Sequence, residues 1–247
     1  NYNRVVYIGN DKVVVAYQDV SNSSYGTAVV GTISGTSISF GTPVVYESAS
    51  SVYNAITYDS TNERVVIAYQ DAGNSDYGTA IVGTVSGTSI SFGTAVVFES
   101  ANSNNMAVTF DSTNDKVVIA YVDSGNSSYG TAIVGTVSGT SISFGSAATF
   151  MTSGAANHNA LVYDSTNGKV VVAYQDGSNS NYGTAVVGTV SGTSISFGTP
   201  VVFNSSASSY FGIVYDSTNE KVVIAYKDDG NSNYGTAIVG TVSGTSI

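Results

Sequence analysis

A fixed internal period narrows what this chain can become more than any other feature. Aligning the basic residue that opens each valine run gives Lys12, Arg64, Lys116, Lys169 and Lys221, spaced by 52, 52, 53 and 52 residues. Five copies fill the 247 residues, and a repeat of this size overrides a domain count taken from length alone.

The second copy, "NAITYDSTNERVVIAYQDAGNSDYGTAIVGTVSGTSISFGTAVVFES", breaks at clusters of Asp, Ser, Asn and Gly, residues that favour turns. Four apolar segments remain: Ala55 to Tyr58, Arg64 to Gln70, Tyr77 to Val85 and Ser89 to Phe98. Val, Ile, Tyr, Phe and Thr dominate them, and such side chains fit a pleated surface. The tight connections "DSTNE" and "SGTS" are hairpin-like, so the four strands run antiparallel in order. The second segment, "VVIAY", has no polar alternation, which predicts burial on both faces.

A single sheet cannot cover both of its own faces, but copies packed side by side can. Four strands within roughly 40 to 50 residues is the signature of a propeller blade, whereas β-helix repeats are much shorter. The expected fold is therefore all-β: a five-bladed β-propeller with four antiparallel strands per blade and a repeat of about 52 residues. It forms one domain over 1–247, with blades at approximately 1–51, 52–103, 104–156, 157–208 and 209–247. The last copy stops before most of its outer strand. Either residues outside this sequence complete it, or the ring closes by packing, and a longer parent chain has room for a sixth blade. A start at Asn1 without methionine reads as a processed or excerpted piece.

The net charge of −10, with no basic cluster, argues against binding nucleic acid. No apolar run approaches the roughly 20 residues of a membrane helix, so no membrane insertion is expected. The absence of cysteine removes disulfides, zinc–cysteine sites and thiol catalysis. Abundant Ser, Thr, Asn and Gly lean toward an extracellular, cell-surface or virion-surface setting.

Glycosidase-type chemistry needs two converging carboxylates, and the inner segments "VVY", "AITY", "AVTF", "ALVY" and "GIVY" carry none. The recurring Asp59, Asp111, Asp164 and Asp216 open the first hairpin, where Asp caps backbone amides. The single histidine, His158, has no second histidine or cysteine to share a metal. No catalytic residue, metal site or cofactor is nominated, and the chain is expected not to be an enzyme.

The copies differ most between the fourth segment of one and the first of the next: "ESASSVYNA", "ESANSNNMA", "MTSGAANHNA" and "NSSASSYFG". One slot holds Tyr2, Tyr53, Asn105, His158 and Tyr210; the next holds Asn3, Asn54, Met106, Asn159 and Phe211. In a propeller these connections emerge on the same face as the loop between the second and third segments. That loop carries Asp71, Asn74 and Tyr77, with counterparts in every copy. Loops on a rigid scaffold commonly carry binding, so both groups are candidate ligand contacts. Two plainer readings stay open: weakly constrained drift for the first group, and turn caps with a packing tyrosine for the second. Calcium at the loop is a third option, without EF-hand spacing to support it.

The unit "KVVIAYxDxGNSxYGTAIVGTVSGTSISFG" resembles in plan the repeats of five-bladed lectin propellers of the tachylectin type, and in wording the repeats of marine phage virion proteins. The first resemblance implies carbohydrate binding. With no tryptophan in this chain, none of that family's sugar-binding residues carries over. The leading expectation is a non-enzymatic binding module for a glycan or cell-surface ligand, using several weak sites on one face of the ring. The alternative is a structural or display domain flanked by assembly domains of a longer surface or virion fibre protein.

Overall fold

The computed structural model describes residues 3–247. The valine runs form the second strand of each repeat: Lys12–Asp19, Arg64–Asp71, Lys116–Asp123, Lys169–Asp176 and Lys221–Asp228. In the second repeat Val65 to Tyr69 are buried on both faces, as the missing polar alternation predicts. The inner strand pairs with it on one side (Ala55↔Ala68, Ile56↔Ile67) and the third strand, Tyr77–Ser86, on the other (Ala68↔Ala80, Ile67↔Ile81), all antiparallel.

The hairpin aspartates do what their position predicts. Asp111 accepts from the backbone N–H of Thr113 and of Asn114 at 3.0 Å each, and from the Asn114 side chain at 2.8 Å. Asp59, Asp164 and Asp216 repeat this pattern. Three acceptor bonds account for the carboxylate in each hairpin without any chemistry.

The fourth segment departs from expectation in two ways. It is split: Ser89–Phe92 pairs with the third strand, the chain turns at Gly93, and pairing with that same strand resumes from Val96. It also does not end. Val44–Asp59, Val96–Asp111 and Val201–Asp216 are unbroken 16-residue strands that begin as the outer strand of one repeat and finish as the inner strand of the next. In the first of these, Ser50 pairs with Tyr25 of its own repeat and Ser51 with Asp71 of the following one. The polar stretch stays extended because its backbone groups find sheet partners on both sides of the switch. Only between Ala148–Met151 and Ala156–Asp164 is the strand interrupted, where the copy carries its extra residue and Gly154 has φ +69°.

The described strands therefore join into one sheet of 13 strands and another of 7 instead of separate four-stranded units. Successive repeats pack face to face. The small back face of one (Val14, Ala16, Ala28, Val30) meets the large front face of the next (Val65, Ile67, Tyr69, Ile81). Three further clusters of this kind follow along the chain. The sheets do not close on themselves. Val5 and Tyr7 on the front of the first repeat, and Val214 and Val239 on the back of the last, remain exposed. The closed ring of five four-stranded blades expected from the repeat pattern is thus not shown by these sheets. No helix among the described residues is long and apolar enough to cross a membrane.

Candidate ligand-binding mouth

The inner strands of all five repeats contribute to one cavity of about 800 Å3. At its mouth the inner strands of the second to fifth repeats are bulged. Pairing with the second strand jumps from Val52 to Ala55, from Asn157 to Ala160 and from Ser209 to Gly212, with a matching shift opposite Ala120 to Val122. Inside the bulges Tyr53, Asn105, His158 and Tyr210 take left-handed backbone, at φ 52°, 50°, 55° and 56°. An L-residue held there costs about 1–2 kcal/mol. Such strain persists only where the surrounding sheet enforces it, and it clusters at functional sites. Tyr2 fills this slot in the first repeat and lies outside the described residues.

The extra residue of each bulge re-aims its neighbours, so Tyr53, Asn105, His158 and Tyr210 border the cavity together with Met106, Asn159 and Phe211. Contacts link one repeat to the next around the rim. Asn105 Nδ2 donates to Asn104 Oδ1 at 2.9 Å and to Asn157 Oδ1 at 3.4 Å; Asn159 Nδ2 donates to the Asn105 carbonyl at 3.1 Å. The His158 and Tyr210 rings lie 4.8 Å apart, tilted by 51°. Asn159 Oδ1 is a buried acceptor with no hydrogen-bond partner.

Other candidates are placed elsewhere. Asn54 is fully buried, accepting from Tyr46 and Ser51 at 3.0 and 2.7 Å, and its role is in the joint between repeats. Asp71, Asn74 and Tyr77 emerge at the expected end of the sheet, because Val52 pairs with Gln70 beside them. They do not border the cavity. Asp71 caps a 3-10 turn, Ala72–Asn74, by accepting from Gly73 N–H at 2.9 Å, and Tyr77 opens the third strand opposite Asp71. The turn reading of this loop accounts for these contacts. Among the described residues no three metal-ligating side chains cluster.

Sequence reasoning missed Arg4. It stands where later repeats have Ala55, Ala107, Ala160 and Gly212, and among the described residues it is the one Lys, Arg, Asp or Glu bordering the cavity. Aligning the copies one position further along would have found it.

Burial lowers the His158 pKa below its ordinary 6.5, which favours the neutral ring in the folded state. As pH falls the unfolded chain takes up this proton first, so stability present above about 6.5 is lost on acidification. Urea midpoints measured between about pH 7 and about 5.5 should fall for the wild-type chain and fall less for His158→Asn.

No family model matches the chain, and no curated protein matches its sequence. Solved structures do share its fold. One is an exo-β-1,3-galactanase from Phanerochaete chrysosporium with β-1,3-galactotriose: TM-score 0.56, 8% identity, covering 91% of this chain and 55% of that one. Another is a periplasmic gluconolactonase from Pseudomonas aeruginosa: TM-score 0.50, 12% identity, covering 94% and 84%. The present chain thus spans about 55% of the galactanase chain. At these identities the likeness is one of fold: an all-β, antiparallel, propeller-type architecture. The same finding corrects one expectation. Both structures are enzymes, so a chain of this build cannot be set apart from catalysts as a non-enzyme.

Proposed function

We propose that this chain is a five-bladed propeller that recognises carbohydrate at the mouth of its central cavity. The observation that carries this reading is the ring of four bulged residues, Tyr53, Asn105, His158 and Tyr210, held in left-handed backbone around one cavity. Tyrosine rings suit the apolar face of a sugar, while the side chains of Asn105, His158 and Asn159 and the Arg4 guanidinium suit its hydroxyls. The unlike side chains make one composite site in place of equivalent separate ones. A saccharide ligand also agrees with the galactanase fold neighbour.

The test is calorimetric titration of the chain with mono- and oligosaccharides, β-1,3-linked galactose among them, at millimolar ligand. Saturable binding is expected, weakened about tenfold or more by Tyr210→Ala. Tyr210 is 73% exposed, so its truncation should leave the unfolding midpoint in place. Absence of binding across the panel, or binding indifferent to Tyr210→Ala, would refute the reading. Release of reducing ends during the titration would make the mouth catalytic.

A further inference from the structure

One layer inside the rim, the five inner strands present a ring of matched positions. Arg4, Ala55, Ala107, Ala160 and Gly212 stand in the same register, each paired with an alanine of its second strand: Ala16, Ala68, Ala120, Ala173 and Ala225. All five border the cavity. Four of them carry nothing beyond a Cβ, and an ideal Cβ built at Gly212 meets nothing within 4 Å. The layer is therefore roomy, and a single repeat brings a guanidinium to it.

That guanidinium has donors to spare. Arg4 Nη1 donates to the Asn3 carbonyl at 3.0 Å, while arginine offers five N–H donors in a planar fork and no acceptor. Among the described residues the ion pair that forms joins Lys227 and Asp229, so no carboxylate of the chain neutralises Arg4. The chain has 17 acidic residues against seven basic ones, yet the described wall of the cavity holds none of the acids. Those at this end of the sheets stand outside it. Asp71, Asp123, Asp176 and Asp228 each accept from a backbone N–H of their own loop. Exposed charges of this kind act over about 8 Å at physiological ionic strength, whereas Arg4 meets a ligand by contact. A dense polyanion is repelled at the approach, and one carboxylate inside the cavity finds a partner.

We propose that the saccharide taken at this mouth is an acidic one, a uronate, and that Arg4 is the residue that selects it by pairing with its carboxylate. The inference rests on the carbohydrate reading above and adds the charge of the sugar to it. The planar fork of a guanidinium matches the two oxygens of a carboxylate, and such charge-assisted pairs are stronger than bonds to neutral hydroxyls. Neutral hydroxyls need no such group, because Asn105, His158 and Asn159 already offer neutral donors and acceptors at the same mouth. One cation accommodates one carboxylate, so a single acidic unit of the ligand sits here.

The test is calorimetric titration of the whole chain with galacturonate, with the methyl ester of galacturonate and with acetate. The ester keeps the ring and its hydroxyls without the charge; acetate keeps the charge without the ring. Galacturonate should bind about tenfold or more tighter than either. The gap between acid and ester should close in Arg4→Gln and survive in part in Arg4→Lys, which keeps the charge but not the fork. Thermal unfolding of both variants checks that they fold. Acid and ester binding equally, or a gap that Arg4→Gln leaves in place, would overturn the proposal while the carbohydrate reading stands. So would neutral sugars binding where galacturonate does not. Acetate binding as tightly as galacturonate would make Arg4 a general anion site and overturn it likewise. Binding by none of these ligands, nor by any neutral sugar, would overturn both readings together.

Discussion

Gly93→Ala should destabilise the protein by about 3 kcal/mol or more, at the upper end of what overpacking produces. Gly93 sits where the outer strand turns, and a Cβ there would lie 1.9 Å from the carbonyl oxygen of Thr140 and 2.9 Å from its carbonyl carbon. Those atoms are backbone, so no rotamer change relieves the clash. The Ser138–Ser141 hairpin of the third repeat, which carries Thr140, must move away from Gly93. Gly41, Gly145 and Gly198 meet Thr88, Thr193 and Thr245 in the same way, which makes the contact a repeated lock between successive repeats. Urea unfolding of Gly93→Ala beside Gly235→Ala, where an added Cβ meets nothing within 4 Å, is the measurement, with the second expected within about 0.5 kcal/mol of wild type. A loss below about 1 kcal/mol for Gly93→Ala would mean the repeats are not locked in this manner.

Tyr121→Ala should cost about 3–5 kcal/mol, the usual range for removing a large buried ring. Tyr121 is fully buried in the joint between the second and third repeats. Its ring stands 5.1 Å from that of Phe98, edge to face, and its O–H donates to Glu99 Oε2 at 3.3 Å. Burial, reinforced by the Glu99 carboxylate, raises the phenol pKa well above its ordinary value, so the hydroxyl keeps its proton as a donor. Burial likewise raises the pKa of Glu99, with Asp123 adding to it. Tyr121→Phe isolates the hydrogen bond and should cost about 1 kcal/mol. The counterpart Tyr174→Phe should cost less, because Met151 stands where Glu99 does. Equal losses for the two phenylalanine variants would show that the carboxylate contributes nothing.

Much of this architecture was legible because backbone chemistry repeats with the sequence. Apolar runs such as Val65 to Tyr69 announce burial on both faces, and the hairpin aspartates announce caps; the structure shows both. The break after Met151 coincides with the extra residue of the third copy, a consequence the 53-residue spacing did not by itself reveal. Legibility failed where pairing partners, not side chains, decide the conformation. The stretch from Ser48 to Asn54 has the composition of a loop and is strand throughout, because two different neighbours hydrogen-bond its halves. The left-handed backbone of Tyr53, Asn105, His158 and Tyr210 leaves no compositional trace either, since the bulge is imposed by register. Variation among copies pointed to those residues and to Asn54 alike, and only packing separates the rim from the buried amide.

The strands that serve two repeats at once set the sequence period and the physical building block out of phase. A cut at the copy boundary between 51 and 52 severs a continuous strand and strips an edge from two sheets together. A cut in a tight hairpin such as Ser86 to Ser89 leaves every long strand whole.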